Sequence, residues 1–278
     1  ILQYMKADLH NHIYVTWEIG TCSLQKGPRS LEYLTDLAIS RELDILGITS
    51  HGQHDKRFLS LQRSLTQLPK GYEAGDLGTV IDVYRKKDWE KVSIVNTRTV
   101  PTKQGDVLLI GNCEDFNDQR DIKETLKRAS DLGCAIVAEH VFVKKAGGVG
   151  RKVFEENARY FDAVEISAQA PKSCNDLAAM LATETNKPLI ANSDSHTPKD
   201  VGLYHTEYEK GRLLIYNSGD EFIERLKLAM QDPLWFKDKN APLLRKAWWI
   251  TVLLYDVKIR RNLGLLPPTA GIEKEFQI

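Results

Sequence analysis

Side chains able to hold a divalent cation concentrate in "ADLHNHIYVTWEIG" at 7–20, which carries Asp8, His10, His12 and Glu18. His10 and His12 are separated by one residue, and Asp194 and His196 in "NSDSH" repeat that spacing. Residues two apart on a strand face the same side, so each pair can present two ligands to one ion. His51, Glu114 and His140 add further imidazole and carboxylate groups. Such a mixture suits zinc, manganese or iron. The chemistry it supports is hydrolysis: two cations about 4 Å apart share a water, lower its pKa and hold the oxygens that gain charge as the leaving group departs. Asp194 is a candidate to take the water's proton, and Asp8 to orient a ligand imidazole from behind.

These residues need a frame that gathers them from distant parts of the chain. Each one follows a short apolar run: His10 and His12 after "ADL", His51 after "LDILGITS", Glu114 after "VLLIGNC", His140 after "CAIVAE", and Asp194 with His196 after "PLIANS". Segments with helical periodicity, such as "SLEYLTDLAISREL" and "DIKETLKRASDLG", separate the runs. Alternating β and α predicts an α/β fold with a mainly parallel sheet, closed as a barrel or open. The carboxyl ends of parallel strands lie on one side, where the ligands are expected to converge. Residues 68–105 break the rhythm and predict an inserted hairpin, "VSIVNTR" pairing with "DVLLIGN" across "PTKQGD". The tail 233–278, with three of the five tryptophans, is expected to be a helical extension that packs on the barrel or on a partner subunit.

Composition narrows the setting. Lys plus Arg and Asp plus Glu are both 38, so no global field draws the 278-residue chain to nucleic acid or to an anionic membrane. The apolar run "AWWITVLLY" at 247–255 is too short to span a bilayer. Four cysteines without C-x-x-C spacing, and no signal-peptide pattern at the start, lead to the expectation of a reducing cytoplasm.

"ADLHNH", "LGITSHG", "IGNCE", "IVAEH", "VEIS" and "NSDSHTPKDVG", in this order, resemble the polymerase and histidinol phosphatase (PHP) family of metal-dependent phosphoesterases. The resemblance covers about 6–205, with 68–105 outside it. It implies a distorted (β/α)7 barrel over 1–232, a C-terminal extension over 233–278, and two or three divalent metal ions. His10, His12, Glu114 and Asp194 would hold one ion, Glu114 would bridge to a second bound by His140, and His51, His196 and Glu18 would hold a third. Asp194, His196 and Glu114 would carry the catalysis. Two departures stand out. Ser50 occupies a place where the family usually has Asp, and 115–139 lacks the histidine that many members supply, leaving water, Asn117 or Asp118 as replacements.

A phosphate substrate needs cations or backbone amides. Lys144 and Arg151, in the glycine-bearing "VFVKKAGGVGRK", together with Arg57 and His205, are the candidates. The reading is a hydrolase of a phosphate ester, a small phosphomonoester being favoured over nucleic-acid ends. Two readings from other classes stand beside it, a metal-stabilised binding module that has lost turnover and an amide or C–N hydrolase.

Overall fold

The computed structural model describes residues 4–13, 30–51, 57–213, 215–233 and 235–238. The apolar runs form strands β1 (Tyr4–Asp8), β2 (Ile45–His51), β3 (Tyr72–Asp76), β4 (Val80–Arg85), β5 (Glu90–Thr102), β6 (Gly105–Ile110), β7 (Ala135–Ala138), β8 (Ala163–Ser167), β9 (Leu189–Asn192), β10 (Tyr204–Glu209) and β11 (Trp235–Asp238). Between them lie helices α1 (Leu31–Ser40), α2 (Arg57–Arg63), α3 (Ile122–Asp131), α4 (Gly150–Asn157), α5 (Lys172–Glu184), α6 (Lys210–Leu213) and α7 (Gly219–Met230). Side-chain caps mark several helix starts: Ser30, Asp121 and Ser218 accept from Tyr33, Lys123 and Glu221 backbone N–H groups.

The strands form one sheet in the order β11-β10-β1-β2-β5-β6-β7-β8-β9, with β3 and β4 outside this path. It curls into a nearly closed, distorted barrel. Thr206 of β10 bonds through its hydroxyl to Ala191 of β9, and Asn11 pairs with Ser195 just beyond β1 and β9. The expected hairpin is present, Thr97 lying opposite Ile110 and Thr102 opposite Gly105. Because β5 also runs parallel to β2, that hairpin is part of the barrel wall.

Alternation along the strands sorts the core. Ala7, Ile45, Val95, Leu108, Val137, Ala163 and Ile190 share the interior with Phe222, Ile223, Leu226 and Met230 of α7, which plugs one end. Each fully buried Leu, Ile or Phe contributes about 1.5–3 kcal/mol of burial free energy. Outward residues of β2 and β5 pack under α1 and α2, and those of β6 to β9 under α3 to α5. Farther along the same inward rows the residues turn polar: Thr97, Thr99, Glu139, Glu165, Asn192 and Asp194.

One strand departs from the expected pattern. β6 runs antiparallel to β5 and β7, so Ile110 at its carboxyl end faces Ala135 at the start of β7, on the plugged side. Its amino end, at Asp106, reaches the polar side. Residues 239–278 lie outside the described residues, and so does nearly all of the expected C-terminal extension. Among the described residues no helix is long and apolar enough to cross a membrane.

Candidate metal centre

The two short motifs meet through their middle residues. Asn11 and Ser195 form a parallel bridge in which the His12 N–H donates to Ser195 O at 2.6 Å and the Ser195 N–H to His10 O at 3.3 Å. Ser195 Oγ also donates to Asn11 Oδ1 at 2.5 Å. Asn11 is pinned from the other side, its Nδ2 donating to Asp8 O and Gly47 O and its backbone N–H to Thr49 Oγ1. Beyond this clamp His10 Nε2 lies 2.9 Å from His12 Nε2, and Asp194 Oδ1 lies 3.6 and 3.9 Å from the same two nitrogens. Ligands about 2.1 Å from a tetrahedral zinc stand roughly 3.4 Å apart, so this trio fits a divalent cation.

Groups behind the trio fix its orientation. His10 Nδ1 meets Glu165 Oε1 at 3.0 Å, and that carboxylate also accepts from Asn192 Nδ2 at 2.9 Å and the His140 N–H at 3.2 Å. A carboxylate on Nδ1 keeps the proton there and leaves Nε2 its lone pair for an ion. The His51 and His196 rings lie 5.3 and 5.0 Å from the His12 ring, and the His140 ring 6.0 Å from that of His10. Both His140 and Asp194 adopt positive φ, 29° and 48°. Left-handed backbone at non-glycine residues costs energy and is held where surrounding structure demands it. His12 Nδ1 and His140 Nδ1 are buried without a hydrogen-bond partner among the described residues.

Crowding and burial of these groups set their electrostatics. Burial, then the neighbouring His10, pushes the His12 pKa well down, and burial does the same to His196. His140 is held down to about 4, again chiefly by burial. Burial raises the Asp194 carboxyl to about 7. For His10, burial works against the charged form but Glu165 and Asp194 outweigh it, lifting the ring to about 10. A cation would relieve these strains by replacing protons with one shared positive charge.

Several expected site residues stand elsewhere. Glu114, expected as a bridging ligand and catalytic group, lies across the sheet wall. Thr97 and Thr99 face inward, so Asn96 and Arg98 face outward, and Asn96 Nδ2 donates to Glu114 Oε1 at 3.2 Å. Glu114 lines a cavity of about 330 Å³ with Phe58, Gln62, Asn96 and Ser218, away from the histidines. The cause is the reversal of β6. Asp118, a suggested replacement ligand, lies 3.9 Å from Arg98 and near Asp106, whose carboxyl is raised to about 7 by burial and then by the Asp118 charge. Glu18 lies outside the described residues.

Asp8 orients backbone, not an imidazole: its two oxygens accept from the Ser193 and Gly202 N–H groups at 2.9 Å each, and burial raises its carboxyl to about 6. Lys144 is exposed, and Arg151 pairs on the outer surface with Glu155 and Glu184. The glycine N–H groups expected to cradle an anion are already used. Those of Gly147, Gly148 and Gly150 donate to the carbonyls of Lys144, Val143 and Val141. His205 is buried in β10, its Nδ1 3.4 Å from Gly202 O, and is not a rim group. Arg57 is buried close enough to depress the pKa of both His12 and His196. Sequence reasoning passed over Glu165 and Glu139, each two residues beyond an inward-facing apolar residue of its strand. That two-residue step was the available signal.

Fold and centre together define a distorted α/β barrel whose polar mouth holds a buried histidine and carboxylate cup fitted to divalent cations. A PHP-associated family model matches residues 172–229, from α5 almost to the end of α7. PsfC from Pseudomonas syringae PB-5123 is similar in structure, with a TM-score of 0.60 at 17% identity over 93% of this chain and 100% of that one. A two-domain protein from Bacteroides vulgatus ATCC 8482, containing a predicted PHP-like metal-dependent phosphoesterase, gives a TM-score of 0.52 at 14% identity. That match covers 84% of this chain and 64% of the other. No curated protein sequence matches. The fold is that of the PHP-like proteins, and the family resemblance carried by the motifs stands with it.

Proposed function

We propose that the protein is a metal-dependent phosphoesterase acting on a small phosphorylated molecule. The observation that carries this reading is the Asn11–Ser195 bridge, which brings ligand atoms of His10, His12 and Asp194 within 4.8 Å of one another. His10, His12 and Asp194 would hold the first cation, with His51, His196 and His140 around it. Bound divalent ions would supply an activated water and an electrophile for the phosphoryl oxygens.

The chain's own groups supply the rest. Glu165 holds the His10 ring through Nδ1, so its Nε2 stays aimed at the centre. Asp194 Oδ2 turns toward Ser167 Oγ at 3.4 Å and is placed to hold a proton while Oδ1 faces the histidines. Arg57, buried beside His12 and His196, supplies positive charge for a phosphate that enters the cup. The α7 plug leaves one polar mouth, and the balanced net charge provides no track for a polyanion. Both favour a small ester.

Phosphate release from a panel of phosphomonoesters, compared with cleavage of oligonucleotide ends and of amides, tests the reading. Zinc- or manganese-loaded protein should release phosphate from at least one monoester, and the His10→Ala/Asp194→Ala double variant should lose that activity. Retained metal with no turnover on any panel would instead favour a binding module.

A further inference from the structure

Across the β5 wall from the histidines lies the cavity of about 330 Å³ that takes no part in the metal centre. Volumes from about 300 Å³ upward are those of small-molecule sites. It is bounded by α2, the turn between β3 and β4, the outward side of β5, the loop after β6 and the start of α7. Phe58, Leu59 and Leu77 form its apolar wall, and Asn96, Glu114 and Asp220 stand on its polar one. Among the described residues no lysine, arginine or histidine lines it.

The polar wall is short of donors. Asn96 is 3% exposed, and its Nδ2 donates to Glu114 Oε1 at 3.2 Å. An ionised carboxylate only accepts, so the amide nitrogen must be the atom that faces Glu114. The amide oxygen, Oδ1, is then left buried without a hydrogen-bond partner among the described residues, a costly state for a carbonyl. Donors nearby are already spent. Gln62 Nε2 donates to Asp76 and Gly78 O, the Gly219 N–H to Leu77 O and the Glu221 N–H to Ser218 Oγ. An anion would therefore meet carboxylates and committed N–H groups at the start of α7. An occupant has to bring its own donors, and beside Glu114 and Asp220 a positively charged donor is favoured over a neutral one.

We propose that this cavity is a binding site for a small aliphatic amine, its ammonium held between Asn96 Oδ1 and the Glu114 carboxylate and its alkyl stem lying against Phe58, Leu59 and Leu77. An ammonium carries three N–H donors, enough to serve the amide oxygen and a carboxylate together. The apolar wall covers the stem as it would cover the methylenes of a lysine, with Asp220 adding negative charge. This site is separate from the metal centre and does not depend on the metal-dependent reading.

The test is calorimetric titration of the full chain at neutral pH with butylamine, and with 1-butanol and butyrate as its neutral and anionic counterparts. Wild type is compared with Glu114→Gln, Asn96→Ser, Asp220→Asn and, as a charge control outside the cavity, Glu155→Gln. Thermal melts establish that each variant folds. Asp220 is exposed, so its variant keeps the test open if an inner substitution unfolds the chain. Wild type should bind butylamine and take neither counterpart with comparable affinity. Glu114→Gln and Asn96→Ser should each weaken that binding at least about 10-fold, Asp220→Asn should weaken it about threefold, and Glu155→Gln should leave it unchanged. Absence of binding to wild type up to about 10 mM amine, equal binding of 1-butanol or butyrate, or wild-type affinity in any folded cavity variant would overturn the proposal. None of these outcomes touches metal binding by the cup, so failure here leaves the metal-dependent reading standing.

Discussion

Gly47 gives the sharpest test of how the cup is held. It sits in β2 beneath the point where the chain leaves β1 and bends toward the centre. A Cβ added there would lie 2.3 Å from Leu9 O, 2.6 Å from Leu9 C and 2.7 Å from Leu9 Cα. Those atoms are backbone and cannot rotate away. Relaxed contacts begin near roughly 3.5 Å, so Gly47→Ala must drive Leu9 back by about 1 Å. His10 is the next residue and moves with it, as does the Asn11 clamp that bonds to Gly47 O at 3.2 Å. Misplacing a reacting or ligating group by 1 Å costs on the order of 100-fold, about 2.7 kcal/mol, and overpacking of this kind lowers stability by about 1–3 kcal/mol. Zinc affinity measured by competition with a chromophoric chelator, beside a thermal melt, reads both effects. A Gly47→Ala protein that binds zinc within twofold of wild type and melts at the same temperature would refute the reasoning.

Glu165→Gln keeps the shape but removes the charge that orients His10 and accepts from Asn192 and His140. Metal affinity should fall by about 10- to 100-fold in the same chelator assay, and an unchanged value would remove Glu165 from the centre. Ser195→Ala deletes the hydroxyl bonded to Asn11 Oδ1 and should cost about 1 kcal/mol in denaturant unfolding, an effect below about 0.3 kcal/mol denying the clamp its part. Glu114→Gln should leave metal stoichiometry at the wild-type value in elemental analysis. Loss of an ion there would mean that Glu114 does reach the cup.

The legible parts of the site were those written in a local period. H-x-H and D-x-H declare two same-face ligands wherever the chain is extended, and the structure sets His10, His12 and Asp194 together. Strand direction leaves no such mark. "DVLLIGN" reads as a buried strand in either orientation, so Glu114 at its carboxyl end looked equivalent to His51 or His140, although the chain had turned round at Lys103 and Gln104. The hairpin itself was readable from "PTKQGD", but its long first strand being a wall strand depends on pairing with β2, where Ile45 lies opposite Ser93. Arg151 misled for another reason. A cation near a glycine loop looks like an anion site until its helix places Glu155 one turn on and α5 brings Glu184 across. Glu139 and Glu165 were hidden by company, each a lone acid closing an apolar run.

The α7 plug has a consequence for traffic. With Phe222, Ile223, Leu226 and Met230 filling the barrel floor, the ester, water, alcohol and phosphate of the proposed reaction would all share one doorway, the entry route being also the exit. Departing phosphate then delays the next arrival, so turnover with an excellent leaving group should be paced by product escape and slowed by added inorganic phosphate.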